Sequence, residues 1–229
     1  MKNNSVMVAT PIHHLIHPRC RRSTEYIMHK SRELGTRVKY FELHGESLIS
    51  RARQDMSKYF LENTDYEYIL FWDSDLIWKP DNEHSSLIDS FIIHNEILDG
   101  DPVIGGLYVC KGYPHKPSVR TLDFQKYPDF RRQKETVVRV KYVSGGCMLV
   151  SRRNMELAYE VSDFPWQPFM CRNTDGELEL LSEDWAFQER LQEKDVASYV
   201  DTHTTLLHMG WHGYSLSEYY GIIDEELKK

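Results

Sequence analysis

Long apolar runs are missing from this chain. Nowhere does it approach the roughly 18 consecutive apolar residues that a membrane helix requires, and the opening Met1-Lys2-Asn3-Asn4-Ser5 leads only into a short apolar segment. Neither a span nor a signal peptide is therefore expected. Cysteine is also sparse. The four residues Cys20, Cys110, Cys147 and Cys171 form no CxxC pair, which argues against a zinc ribbon or a dithiol redox motif and for a reduced, cytoplasmic protein. Positive charge is in deficit: 28 Lys and Arg against 35 Asp and Glu give a net charge of −7. A non-specific nucleic-acid binder needs the opposite balance, so nucleic acid is disfavoured as a partner. The short basic runs Arg19, Arg21, Arg22 and Arg131, Arg132 read as solvated loops. Low-complexity tracts and repeat periods are absent too, which sets aside disordered and solenoid architectures.

What remains is an ordinary globular composition, with 41% hydrophobic and 28% charged residues in 229 positions. That length suffices for one sizeable core, and a single domain over residues 1–229 is expected. Val6 to Thr10 reads as a buried strand ended by Pro11, and Ser23 to Leu34 as a helix stopped by Gly35. Arg37 to Leu43 is a second strand. Residues 48–61 carry apolar side chains at near-helical spacing, and Tyr68 to Trp72 is a continuous apolar strand. This β-α-β-α-β order predicts an α/β fold with a central mixed, mostly parallel sheet flanked by helices. The second half is mixed. Val103 to Val109, Val137 to Val143 and Cys147 to Val150 read as strands, and Arg152 to Tyr159, Ser182 to Lys194 and Leu216 to Lys229 as helices. In such sheets ligands bind beyond the carboxyl ends of the strands, which directs attention to the residues after Thr10 and Trp72.

Two Asp-x-Asp triplets are present. Asp99-Gly100-Asp101-Pro102 has the chemistry of a turn, whereas Asp73-Ser74-Asp75 follows five apolar residues at the end of a predicted central strand. In extended backbone, residues two apart point the same way, so both carboxylates could face one cation with oxygen ligands. Arg51 and Arg53 stand near the start of a predicted helix, where an anion is favoured and guanidinium groups match phosphate oxygens. Ser144-Gly145-Gly146 lies between two strands, where paired glycines permit the close approach of a ligand or simply a tight bend. Glu183-Asp184 opens a helix beside Trp185, a pairing suited to sugar hydroxyls or to proton abstraction, though acidic residues in a first turn also serve the helix dipole.

The ordered blocks Val8 to Pro11, Ser50 to Gln54, Tyr68 to Asp75, Val143 to Leu149, Ser182 to Phe187 and His208 to Tyr214 span most of the chain. Together they resemble GT-A glycosyltransferases, especially small viral and phage members. The resemblance implies a Rossmann-like GT-A domain, with a nucleotide-sugar-binding half at about 1–110 and an acceptor-binding half at about 111–229. It further implies that Ala9, Thr10 and Pro11 meet the nucleotide, and that Arg51, Arg53, Asp73, Ser74 and Asp75 meet the donor diphosphate. Ser144, Gly145, Gly146 and Trp185 would face sugar or acceptor, Asp184 and Glu183 would be catalytic, and His208 would join Asp73 and Asp75 on the metal. Two carboxylates and an imidazole suit Mn²⁺ better than Mg²⁺. UDP is the default nucleotide by the same resemblance, and a viral member would work in the host cytoplasm. His212, four residues after His208, makes a two-histidine zinc site conceivable, yet Gly210 between them and no Glu beside His208 speak against an HExxH metallohydrolase. A sugar-phosphate nucleotidyltransferase wants a Gly-rich, basic loop after the first strand, which Thr10-Pro11-Ile12-His13 does not supply. A non-catalytic sugar- or nucleotide-binding module on the same scaffold is the remaining alternative.

Overall fold

The strands after which ligands were expected are buried on both sides. In β1 (Ser5–Ile12) and β3 (Tyr68–Trp72), Met7, Ala9, Ile69 and Phe71 face one core, and Val6, Val8, Tyr68, Leu70 and Trp72 face the other. A strand covered on both faces needs apolar side chains at every position, which is why the run 68–72 carries no alternation. The computed structural model describes residues 4–80, 86–112, 115–125, 128–132, 135–172, 176–210 and 213–226. Trp211 and His212 lie outside the described residues.

The remaining elements are α1 (Pro18–Glu33), β2 (Arg37–His44), α2 (Ile49–Asn63), β4 (Leu76–Trp78), α3 (Leu87–Ile97) and β5 (Val103–Leu107), then β6 (Val119–Arg120), β7 (Val137–Val140), β8 (Tyr142–Val143), β9 (Cys147–Ser151) and α4 (Arg152–Val161). They close with β10 (Phe169–Arg172), β11 (Leu178–Leu181), α5 (Glu183–Gln192), β12 (Ser198–Met209), β13 (Gly213–Tyr214) and α6 (Leu216–Glu226). The main sheet runs β13-β12-β5-β9-β3-β1-β2, with β4 and β7 also paired to β12. Strands β1, β2, β3, β5 and β12 share one direction, β9 is reversed between β3 and β5, and β4, β7 and β13 run against β12. Helices α2, α4, α5 and α6 cover one face, and α1 and α3 the other. The expected α/β architecture with a mixed, mostly parallel sheet is thus observed. Among the described residues, no helix is long and apolar enough to cross a membrane.

Several boundaries differ from expectation for identifiable reasons. Pro11 does not end β1, which continues to Ile12 in register with His44. Pairing with β3 stops at Ala9, so β1 has an open edge beyond it, where a proline can sit without interrupting two ladders. Helix α1 starts at Pro18 rather than Ser23. Proline suits a first helical turn, and the His17 ring accepts from the Arg19 N–H at 3.2 Å, a cap outside the usual Ser/Thr/Asp/Asn set. Strand β12 was missed. Its polar residues and the irregular register between Asp201 and Thr205 erase the period-two signal.

Two carboxylates away from Asp73-Ser74-Asp75 hold this framework together. Asp101, at φ 54° after Gly100 at φ 85°, accepts from Asn95 Nδ2 at 2.8 Å and Ser151 Oγ at 2.6 Å. The second triplet is therefore a turn, as its residues implied. Asp201, 1% exposed, accepts from the His203 and Thr204 N–H groups at 2.9 and 3.0 Å and pairs with His94 at 3.4 Å. These bonds fix the kink in β12.

Candidate functional site

Reversal of β9 decides where the site forms. The turn entering a reversed strand emerges at the edge where its neighbours end, so Ser144-Gly145-Gly146 meets the residues that follow β3 and β5. The Asp73 N–H donates to the Gly146 carbonyl at 2.8 Å. Asp73 does not continue the strand. The Leu76 N–H reaches back to the Asp73 carbonyl at 3.2 Å, closing a turn, so Asp73 and Asp75 do not lie on extended backbone and their carboxylates take different cations. Asp73 takes the Arg53 Nη2 at 3.3 Å, while Asp75 takes the Lys111 Nζ at 2.5 Å and lies 3.5 Å from His208 Nε2.

Arg53 is the centre of the first group. It comes from α2, is 3% exposed, and also lies 3.5 Å from Glu183 Oε1. Its Nε and Nη1 have no hydrogen-bond partner. A Cβ on Gly145 would sit 1.4 Å from Nη1, and one on Gly146 would sit 2.4 Å from the Tyr108 hydroxyl and 2.9 Å from Asp73 Oδ2. Of the two uses a Gly pair allowed, close approach is the one realised, and what approaches is the protein's own charged cluster. Asp184 closes the group from α5. Its Oδ2 accepts from the Gly145 N–H at 2.8 Å, and its Oδ1 accepts from Ser182 Oγ at 2.5 Å and the Trp185 N–H at 2.9 Å. Ser182 stands at the cap position but spends its hydroxyl on Asp184 rather than on the helix.

The second group hangs on β12. His208 pairs with Leu76 across the β4–β12 ladder, and the Met209 N–H donates to the Asp75 carbonyl at 2.7 Å. The His208 Nδ1 faces the Val109 carbonyl at 2.8 Å. A carbonyl can only accept, so Nδ1 carries a proton, and Nε2 is the ring nitrogen that faces Asp75. Asp75 Oδ1 is buried without a partner.

Four carboxyl groups, Asp73, Asp75, Glu183 and Asp184, thus share two permanent cations, Arg53 and Lys111. Burial raises the Asp73 carboxyl above its usual range against the pull of Arg53, and burial likewise raises Glu183. Asp75 is held below the usual range because the His208 and Lys111 contacts outweigh its burial. Burial, with Asp73 and Asp184 nearby, pushes the Tyr108 phenol well up. The donor set of the Asp75 carboxylate, His208 Nε2 and Asp73 suits a divalent cation in chemistry and in charge. The three are not gathered round one point: among the described residues no group of three His, Cys, Asp or Glu is closed enough to hold a metal.

Other expected residues are placed as follows. Ala9 and Thr10 are buried at the end of β1, level with the end of β3. Pro11 follows them, and Ser74 occupies the turn between the two aspartates. Arg51 is not brought to the site; it is exposed and ion-paired with Glu46. Trp185 and Ser144 line a cavity of about 360 Å³ with Arg120 and Phe124. The indole there is stacked on Tyr142 at 5.2 Å and lies under the Arg120 guanidinium at 4.5 Å. Tyr108 and Lys111 were missed by sequence reasoning. Both follow β5, and the rule that singled out the ends of β1 and β3 would have found them had it been applied to every parallel strand.

Fold and site together define an α/β protein with a largely buried charged cluster at the carboxyl edge of its sheet. No family model and no curated protein matches the chain. Among solved structures, it is similar to A197 from STIV, at 16% identity over 90% of this chain and 85% of that one, with a TM-score of 0.59. Weaker likenesses are to a UDP-glucose pyrophosphorylase complexed with UDP-glucose (10% identity, 97% and 99% covered, TM-score 0.48) and to a glycosyltransferase involved in glycosylation of the major capsid of PBCV-1 (13%, 86% and 92%, 0.40). At 16% identity the likeness to A197 is one of fold.

Proposed function

We propose that this chain is a metal-dependent glycosyltransferase that takes a sugar from a nucleoside diphosphate sugar, with UDP the default nucleotide, and passes it to an acceptor in the cavity beside Trp185. The observation that carries this reading is the four-carboxyl, two-cation cluster. A diphosphate added to it would deepen the negative excess, so a divalent cation, Mn²⁺ by its mixed nitrogen and oxygen donors, is the natural third partner. Asp73, Asp75 and His208 would hold that cation, whose chemistry is to neutralise the departing diphosphate.

The chain's own groups would do the rest. Arg53 has unsatisfied N–H groups at the point where the diphosphate would lie, and it is pre-positioned by Asp73 and Glu183. Ala9, Thr10 and Pro11 would meet the nucleotide at the end of β1. Asp184 is engaged by three donors and positions the Gly145 turn. Glu183, with no comparable set of donors and a carboxyl raised by burial, is the better general base, which reverses the order expected from sequence. Residues of both halves of the chain build the site, since His208 joins Asp75, so residues 1–229 act as one catalytic domain.

The test is a panel of nucleotide sugars assayed for release of UDP or GDP with Mn²⁺ and with EDTA. One donor should give cation-dependent release, lost in Asp75→Ala. Equal UDP affinity in Mn²⁺ and EDTA would sink the proposed cation bridge.

A further inference from the structure

Lys111 occupies the place where the proposed cation would approach Asp75. Its Nζ is 2.5 Å from Asp75 Oδ2, the same oxygen that His208 Nε2 faces at 3.5 Å. The lysine stands on an arm leaving β5 that is closed at its base by the Val109–Pro117 bridge and the Cys110 N–H donating to the Lys116 carbonyl at 2.8 Å. Its stem runs beside Gly210, where a Cβ would lie 3.4 Å from Lys111 Cδ.

The two cations of the site differ in one respect that matters. Arg53 is enclosed, whereas the Lys111 side chain is 38% exposed and its partner's 37%. A pair so open to water is worth little, so its exchange is easy. An ammonium on a flexible stem also serves phosphate as a point charge without a fixed geometry.

Resting on the donor reading above, we propose that Lys111 is an exchangeable counter-ion. It neutralises Asp75 in the empty protein, yields that oxygen when a divalent cation binds, and turns to the phosphates of the donor. Cation binding and phosphate capture are thereby coupled through one side chain, and the empty site avoids leaving Asp75 unpaired.

The experiment compares wild type with Lys111→Gln. Mn²⁺ binding is followed by the paramagnetic resonance signal of the free ion, and UDP binding by calorimetry at saturating Mn²⁺. Without nucleotide, the variant should bind Mn²⁺ about three- to tenfold more tightly, because a competing positive charge is gone. With Mn²⁺ saturating, it should bind UDP about tenfold more weakly, because a charge-assisted phosphate contact is lost. Unchanged or weaker Mn²⁺ binding in the variant overturns the exchange, and unchanged UDP affinity overturns the transfer to phosphate. If wild type takes up no Mn²⁺ with or without UDP, the donor reading itself falls and takes this proposal with it.

Discussion

Gly145→Ala offers the sharpest test of the cluster, because a single methyl reaches it without adding or removing any charge. The new Cβ would lie 1.4 Å from Arg53 Nη1, and ordinary contact begins at 3.4 Å, so the guanidinium must retreat by about 2 Å. A long side chain usually yields cheaply. Here it is 3% exposed and set between Asp73 and Glu183 at 3.3 and 3.5 Å, so retreat pulls it off both. Breaking a buried pair outright costs about 3–5 kcal/mol. A displaced but still present charge should cost less, about 2–4 kcal/mol by the same reckoning. Arg53→Ala alone should cost about 3–5 kcal/mol, since it strands the facing carboxylates. In the Arg53→Ala background the methyl enters vacated space, and the further loss should not exceed about 1 kcal/mol. Denaturant unfolding of the four proteins measures the cycle. UDP binding should be weakened at least tenfold in Gly145→Ala, by loss of a charge-assisted contact worth roughly 1.5–3 kcal/mol. If the two stability losses add to within about 0.5 kcal/mol, the clash is not with Arg53 and the reasoning fails.

Three further outcomes follow from the same geometry. Glu183→Gln should lower transfer by about 10²–10⁴ with UDP affinity kept. The acid limb of the wild-type pH–rate profile, set by a carboxyl that burial holds above its usual range, should vanish in that variant, whereas Asp184→Asn should show its main effect in stability, by loosening the Gly145 turn; the reverse pattern restores Asp184 as the base. Asp101→Ala should leave any cation effect on UDP binding intact while costing about 1–3 kcal/mol of stability, because Asn95 and Ser151 lose their acceptor; an altered cation effect would mean that Asp101 serves the site. Asp201, held below the usual carboxyl range by the His94, Thr204 and His203 contacts despite its burial, contributes stability above its unfolded pKa that is lost as pH falls through the folded one. Asp201→Asn should therefore lower Tm most at neutral pH and least in acid, and a pH-independent difference in thermal melts would refute the assignment.

The fold up to β3 was legible because β1 and β3 are apolar at nearly every position and α1 and α2 keep their period, whereas β4 and α3 went unread. Asp73, Arg53, Gly145 and Asp184 were legible for a second reason: each stands at the end of an element whose limits the sequence marks. The geometry between them was not. Nothing in Asp73-Ser74-Asp75 announces a turn in place of extended backbone, since that turn is closed by a main-chain bond to Leu76. Arg51 and Arg53 look equivalent in sequence, yet the helix aims one at Glu46 in solvent and buries the other. Lys111 carries no local signature, because its role depends on meeting Asp75, 36 residues away in the chain.

That reach along the chain governs when the site can come into being. The bonds from Arg53 to Asp73, Lys111 to Asp75 and Gly145 to Asp184 span 20, 36 and 39 residues, but His208 meets Val109 across 99. Contacts of high sequence separation pay the largest loop-closure entropy and form slowly. Strand β12 leaves a ribosome well after Asp75, so a nascent chain holds Asp75 for some time with no histidine to meet it. Refolding watched by nucleotide binding should accordingly lag behind recovery of the β1–β3 core, and a chain cut before Ser198 would fold its first strands around a pocket that can never be completed.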